Sequence, residues 1–342
     1  MTSSQARRSC LKALAILLFS VPLAVAAGNV RILQTNSAGD NVHVIDPVTN
    51  KVVGIIEGIE VSHGATATPD GSRIYVSNEA DHTLDVVDGK TLKVIKKIAL
   101  SGRPNNIAGG KDGRRVYVSI AAAPGGVDVI DTATGTRAKT IPTKGTIHNT
   151  YVTPDGKYVV SGSIPAKNIT VIDAKTEQVA WTYDFDLGVR PMAFSTNPDG
   201  STKWIFSQLS ELNGFAVVDF NTRKEVARIT HPVLAPGKAP VTVGGNVSHG
   251  IAVTPDAKTL IVNSRLNSAV YKYSLPDLKL MGTTDIAGID PNWVTLTPDG
   301  KKAYVAIAGS NFVAAIDIDS MKQVAKIPVG HIPKRNATVN LP

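Results

Sequence analysis

Three histidines recur at one place in a repeated phrase. His63, His148 and His249 each stand seven residues before an aspartate, in "VSHGATATPD", "GTIHNTYVTPD" and "VSHGIAVTPD". Three neutral imidazoles that converge and leave a fourth position open form the donor set that binds Zn, Cu or Fe while keeping room for water or substrate. His63, His148 and His249 are therefore candidate ligands of a divalent metal. The competing reading is that they fill a polar interior, bonded to backbone carbonyls.

The same count from the other anchor aspartates gives Asn105, Met192 and Asn292, and an alignment through Pro333 gives Lys334. Cations gather beside this position. Arg103 and Arg190 precede it by two residues, Arg335 follows Lys334, and Arg265 falls in a nearby loop. Guanidinium groups at an entrance suit a carboxylate or phosphate. Arg103, Asn105, Arg190 and Arg265 are candidate ligand-binding residues on this ground, as are Asn292, Trp293, Lys334 and Arg335. Acids are fewer there (Glu79, Asp81, Glu211 and Asp290), and none falls on the histidine position itself.

The elements that must position these side chains are written as a repeat. "TPDGSRIYVSN", "GKDGRRVYVSI", "TPDGKYVVSGS", "NPDGSTKWIFS", "TPDAKTLIVNS" and "TPDGKKAYVAI" share their anchors at Asp70, Asp112, Asp155, Asp199, Asp256 and Asp299, spaced 42, 43, 44, 57 and 43 residues apart. Each unit carries four short β-branched runs of period two, divided by turn residues, with no amphipathic segment of helical length. Four strands per unit at this period describe a β-propeller blade. The first unit, from "VRILQTN", lacks an opening strand, and the C-terminal "IPKRNATVNLP" can supply it. The expected fold is all-β, a seven-bladed propeller closed by pairing of the N- and C-terminal strands in one blade. The histidine position then becomes a ring at one mouth of the central channel.

"YVSN" at 75–78, the recurrent "TPDG" and "VIDxxT" at 44–49, 129–134 and 171–176 resemble the YVTN-type repeats of YncE-like exported bacterial propellers. The resemblance implies the fold and an exported protein, and says little about function, because these residues serve turns and sheet faces. Blade five departs from the pattern, with Ser274 where the other units place an aspartate.

Residues 1–27 read as a cleaved export signal and 28–342 as a single propeller domain. Arg7, Arg8 and Lys12 precede the apolar run 13–21, and small residues at 24–27 suit a signal peptidase. "RRSCLK" resembles a twin-arginine signal, with an ordinary Sec signal as the alternative. The expected location is periplasmic or secreted, with no transmembrane anchor. The only cysteine, Cys10, lies in this segment, so the mature chain has neither disulfide nor thiol chemistry. The formal charge of +8 includes those three basic residues, which leaves a mildly basic domain without a basic run, and aromatics are 5%. Nucleic acid is not an expected partner.

Three functions fit. One is a periplasmic binding protein with a polar, anionic or metal ligand at the channel mouth. A second is a metal-dependent hydrolase of lactonase type, or a lyase, using the axial histidines. A third is a scaffold for another periplasmic protein. No Gly-x-Ser-x-Gly elbow or Walker loop occurs. The long spacing of 57 comes from "ITHPVLAPGKAPVTVGGN", which is expected to lean over the mouth as a partial lid.

Overall fold

The computed structural model describes residues 29–232 and 246–342. These build seven four-stranded antiparallel sheets. Blades one to six span 62–99, 104–141, 149–184, 189–230, 248–285 and 291–328. In blade seven the last strand, Pro333–Leu341, pairs with the first, Asn29–Asn36, and the closure expected from the termini is present. The inner strands touch one another in cyclic order, blade seven returning to blade one. Among the described residues the one helical element is the short 3₁₀ turn Ala308–Ser310, and no helix there is long and apolar enough to cross a membrane. The signal segment and the expected lid, 233–243, lie outside the described residues.

The repeat explains its own residues. In the "TPD" turns, Thr68, Thr153, Thr254 and Thr297 each donate Oγ1 to the aspartate two residues on, at 2.6 Å. That aspartate then accepts a backbone N–H, as Asp70 does from Ser72 at 3.0 Å. In "VIDxxT", Asp173 accepts from the N–H and hydroxyl of Thr176, closing the hairpin. Ser274 does this work in blade five, its Oγ accepting from Lys279 N at 3.2 Å. The repeated aspartates are turn residues.

Middle strands such as "GVDVID" (Gly126–Asp131) are buried on both faces because each blade packs between two others. Seven apolar clusters follow, one per blade interface. Ile74, Val76 and Val87 of blade one meet Leu33, Val42 and Val44 of blade seven, for example. Each fully buried Val or Ile contributes about 1.5–3 kcal/mol.

The axis itself is polar. Hydroxyls of second strands tie down the inner strand of the next blade: Thr35 Oγ1 donates to His63 O at 2.7 Å, and Ser77 Oγ to Asn105 O at 2.6 Å. Six of the seven inner strands also open with a register shift, as between Ser62 and Ala65 or Pro291 and Trp293. A bulge of this kind breaks alternation and re-aims side chains. The glycines after two of the histidines belong to the scaffold. A Cβ on Gly64 would lie 2.8 Å from Ile107 N, and one on Gly250 would lie 2.3 Å from Asn263 Nδ2 and 2.9 Å from Trp293 C. Gly64→Ala forces the neighbouring inner strand outward and is expected to cost about 1–3 kcal/mol, read as a shift of the urea midpoint at unchanged slope.

Candidate functional site

The ring forms as the spacing predicts, at the starts of the inner strands. His148 and His249 meet edge to face, with ring centroids 5.8 Å apart. His249 Nδ1 donates to Asn292 O at 2.8 Å, and its ring lies 5.6 Å from Trp293. His148 Nδ1 accepts from Asn149 Nδ2 at 2.6 Å. His63 Nδ1 lies 2.5 Å from Glu79 Oε1. A carboxylate on Nδ1 fixes the proton there and leaves Nε2 as the nitrogen able to take another.

The group at the centre is Arg335. Its side chain is fully buried, its guanidinium donates to Asn149 Oδ1 at 2.7 Å and to Asn105 Oδ1, and its charge sits 4.2 Å from the Trp293 ring centre. Blades two, three, six and seven thus meet on one cation. Among the described residues no three His, Cys, Asp or Glu side chains form a metal-holding group. His63, His148 and His249 gather around a guanidinium, whose positive charge opposes a second cation in the same place. Trp293 is buried, its ring lying against the Arg335 guanidinium.

Glu79 is the residue that the ring position does not reveal. It extends from the loop after strand Arg73–Asn78, lies against His63 Nδ1, and accepts from Asn105 Nδ2 at 3.3 Å and Arg103 Nη1 at 3.2 Å. Asn105 bridges Arg335 to Glu79 in this way, and a continuous chain of contacts runs from Trp293 to His63. Counting nine residues forward from the anchors gives Glu79, Ala121, Ile164, Gln208, Arg265 and Ala308, which singles out the two charged members. Arg265 pairs with Asp290 (Nη2 to Oδ2, 2.8 Å) and donates to Asn246 O at 2.9 Å. Arg190 and Lys334 have no carboxylate partner among the described residues. Arg190 Nε donates to Ser210 Oγ at 3.0 Å. Asn292 is buried, its Oδ1 without a partner. His82 is exposed and outside the site.

A cavity of about 430 Å³ opens at this mouth between blades one, two and three, lined by His63, Glu79, Arg103, Asn105, His148 and Lys334 among others. A larger cleft of about 800 Å³ lies by the turns of blades two and three. Its Arg115 and Glu177 are already paired at 3.0 Å, and it is the smaller cavity that the ring residues line.

Electrostatics follow from burial around an unneutralised cation. Burial first, then the charge of Arg335, pushes His63 down to about 4 against the upward pull of Glu79. The same two causes hold His148 and His249 well below the ordinary histidine value. Burial works to raise Glu79, but contact with His63 and the charges of His63, Arg103 and Arg335 outweigh it, and its carboxyl lies below the usual range. Burial lowers Arg335 and Arg190 to about 10.

The ring histidines are therefore neutral in the folded protein. So is His231, which burial lowers to about 3. An unfolded chain binds protons at these residues below about pH 6.5. Their folded values are depressed, so the stability they contribute is complete above that pH and is lost as pH falls toward 4, at about 1.4 kcal/mol per pH unit for each histidine. Melting temperature is expected to fall steeply between pH 6.5 and 4. A flat profile over that window contradicts neutral burial.

Residues 122–327, more than half of the chain, match the family described as lactonase, seven-bladed β-propeller. Curated proteins give no match. Among solved structures the chain is similar to hydrazine synthase of Kuenenia stuttgartiensis (TM-score 0.73, 23% identity, 83% of this chain and 91% of that one). It is also similar to a dihydro-haem d1 dehydrogenase (0.61, 16%, 90% and 74%). A third likeness is to a Bacteroides fragilis NCTC 9343 protein described as a candidate 6-phosphogluconolactonase (0.73, 16%, 94% and 100%). At these identities the likeness is one of fold. With its seven closed blades and this sequence match, the chain belongs to the lactonase family of seven-bladed β-propellers.

Proposed function

We propose that the protein hydrolyses an anionic lactone in the mouth cavity, with His63 as general base and Glu79 as the group that orients it. The observation that carries this reading is the His63–Glu79 contact at the wall of a cavity that also holds Arg103, Asn105 and Lys334. Family membership supports it. Burial and the charge of Arg335 keep His63 neutral at physiological pH, and it lines the cavity. A water positioned by Nε2 loses its proton to it as the oxygen attacks the lactone carbonyl carbon. Arg103 and Lys334 supply positive charge for the developing oxyanion and for a carboxylate or phosphate on the substrate. Collapse breaks the ring C–O bond, and the leaving alkoxide takes the proton back from His63. No metal enters this sequence.

The basic start, apolar run and small residues of the first 27 positions support a periplasmic place for this reaction, as does the resemblance to YVTN-type, YncE-like proteins. The test is a set of γ- and δ-lactones, each offered with and without a carboxylate substituent, with ring opening followed by NMR. Charged members are expected to open with the higher kcat/KM. Saturable binding of the charged lactones without ring opening would instead establish an anion-binding protein. Arg190 and Lys334, which have no carboxylate partner among the described residues, favour that second reading.

A further inference from the structure

Lys334 plays only a supporting part in hydrolysis, yet its setting is unusual for a lysine. It begins the closing strand Pro333–Leu341, is half-buried, and lines the mouth cavity beside His63 and His148. Among the described residues its amine makes no hydrogen bond or ion pair. The buried charge of Arg335 and that of Arg265 act against its proton, while Asp290, the strongest of the four charges, and Glu79 act to keep it. Lysines usually keep their ammonium in water. This one is held in a concave site, next to cations, without an acid to fix it.

We infer that Lys334 is a carbonyl-reactive amine, which condenses with a small oxo-carboxylate entering the mouth. Burial first, with Arg335 and Arg265 adding to it, lowers its affinity for a proton, and Asp290 and Glu79 restore only part of it. A desolvated lysine beside another cation has the free amine that attacks carbonyls. In the step, the Nζ lone pair forms a bond to the carbonyl carbon. The two amine protons pass to the carbonyl oxygen, which leaves as water, and an imine to Lys334 remains. No oxidant or reductant is consumed. The carboxylate of the same molecule falls within the field of Arg103, which selects oxo acids over neutral aldehydes. This chemistry goes beyond ring opening, and the two have separate readouts.

The experiment traps the imine. The mature protein is treated with glyoxylate and cyanoborohydride at pH 7, and modified lysines are mapped by peptide mass spectrometry against time. Lys334 is expected to be modified about tenfold faster than the exposed Lys90 and Lys175, because a desolvated amine in a concave site reacts ahead of ammonium groups held in water. The ratio is expected to shrink when neutral propanal replaces glyoxylate. In Lys334→Met the fast phase is expected to vanish while labelling of Lys90 and Lys175 is unchanged. Should that variant fail to fold, the wild-type map decides alone. Modification of Lys334 at or below the rate of Lys90 and Lys175 overturns the inference, as does equal preference for propanal.

Discussion

Replacing Arg335 by methionine is expected to raise the proton affinity of His63, His148 and His249 together, because its charge is the second-largest cause holding each of them down. The readout is the set of imidazole C–H NMR titrations, and the acid limb of any His63-dependent activity should move to higher pH. Stability should change little, within about 1.5 kcal/mol. Methionine fills the volume against Trp293, and removing a buried cation that lacks a counter-ion relieves its desolvation cost. Arg335→Ala is different. Both variants orphan Asn105 Oδ1 and Asn149 Oδ1, which now accept from the guanidinium, but alanine also leaves a cavity. That variant is expected to lose about 2–4 kcal/mol. A methionine variant as unstable as the alanine one, with unmoved histidines, would make Arg335 a structural bolt. The expected pattern makes it the group that sets the charge of the site.

The fold was legible because the repeat writes it in residues that serve turns. Asp70, Asp155, Asp256 and Asp299 mark one hairpin each, and incomplete units at both ends imply the closure through 333–341. The ring was legible for the same reason, since a fixed count from a fixed turn lands on His63, His148 and His249. Its centre was not. Strict alternation would send Lys334 and Arg335 to opposite faces, but the register shift between Gln34 and Asn36, opposite these residues, breaks that rule. Arg335 thereby reaches the axis while Lys334 lines the mouth. Glu79 escaped for another reason. It comes from a loop sixteen positions after its partner in sequence, and only the geometry of the blade folds that loop back onto His63. Loops between strands Arg73–Asn78 and Thr83–Asp88, and their equivalents, carry what differs between blades.

His63→Ala is expected to lower kcat/KM for a carboxylated lactone by about 10²–10⁴-fold, the usual contribution of a positioned base. Glu79→Gln should cost less in rate and should also move the acid limb to lower pH, because Glu79 is the group that raises His63. That shift is opposite in sign to the one expected for Arg335→Met. A residue that merely packed against the ring would change neither limb in this ordered way. Because the two side chains act as a unit, the double variant should be no worse than His63→Ala alone.

The direct measurement is therefore kcat/KM for one carboxylated lactone, followed by NMR between pH 3 and 8, for the mature wild type, His63→Ala, Glu79→Gln and the double variant side by side. The account predicts ring opening by the wild type, loss in His63→Ala that the second substitution does not deepen, and an acid limb displaced downward in Glu79→Gln. Ring opening that survives in His63→Ala, or losses that multiply in the double variant, would contradict it.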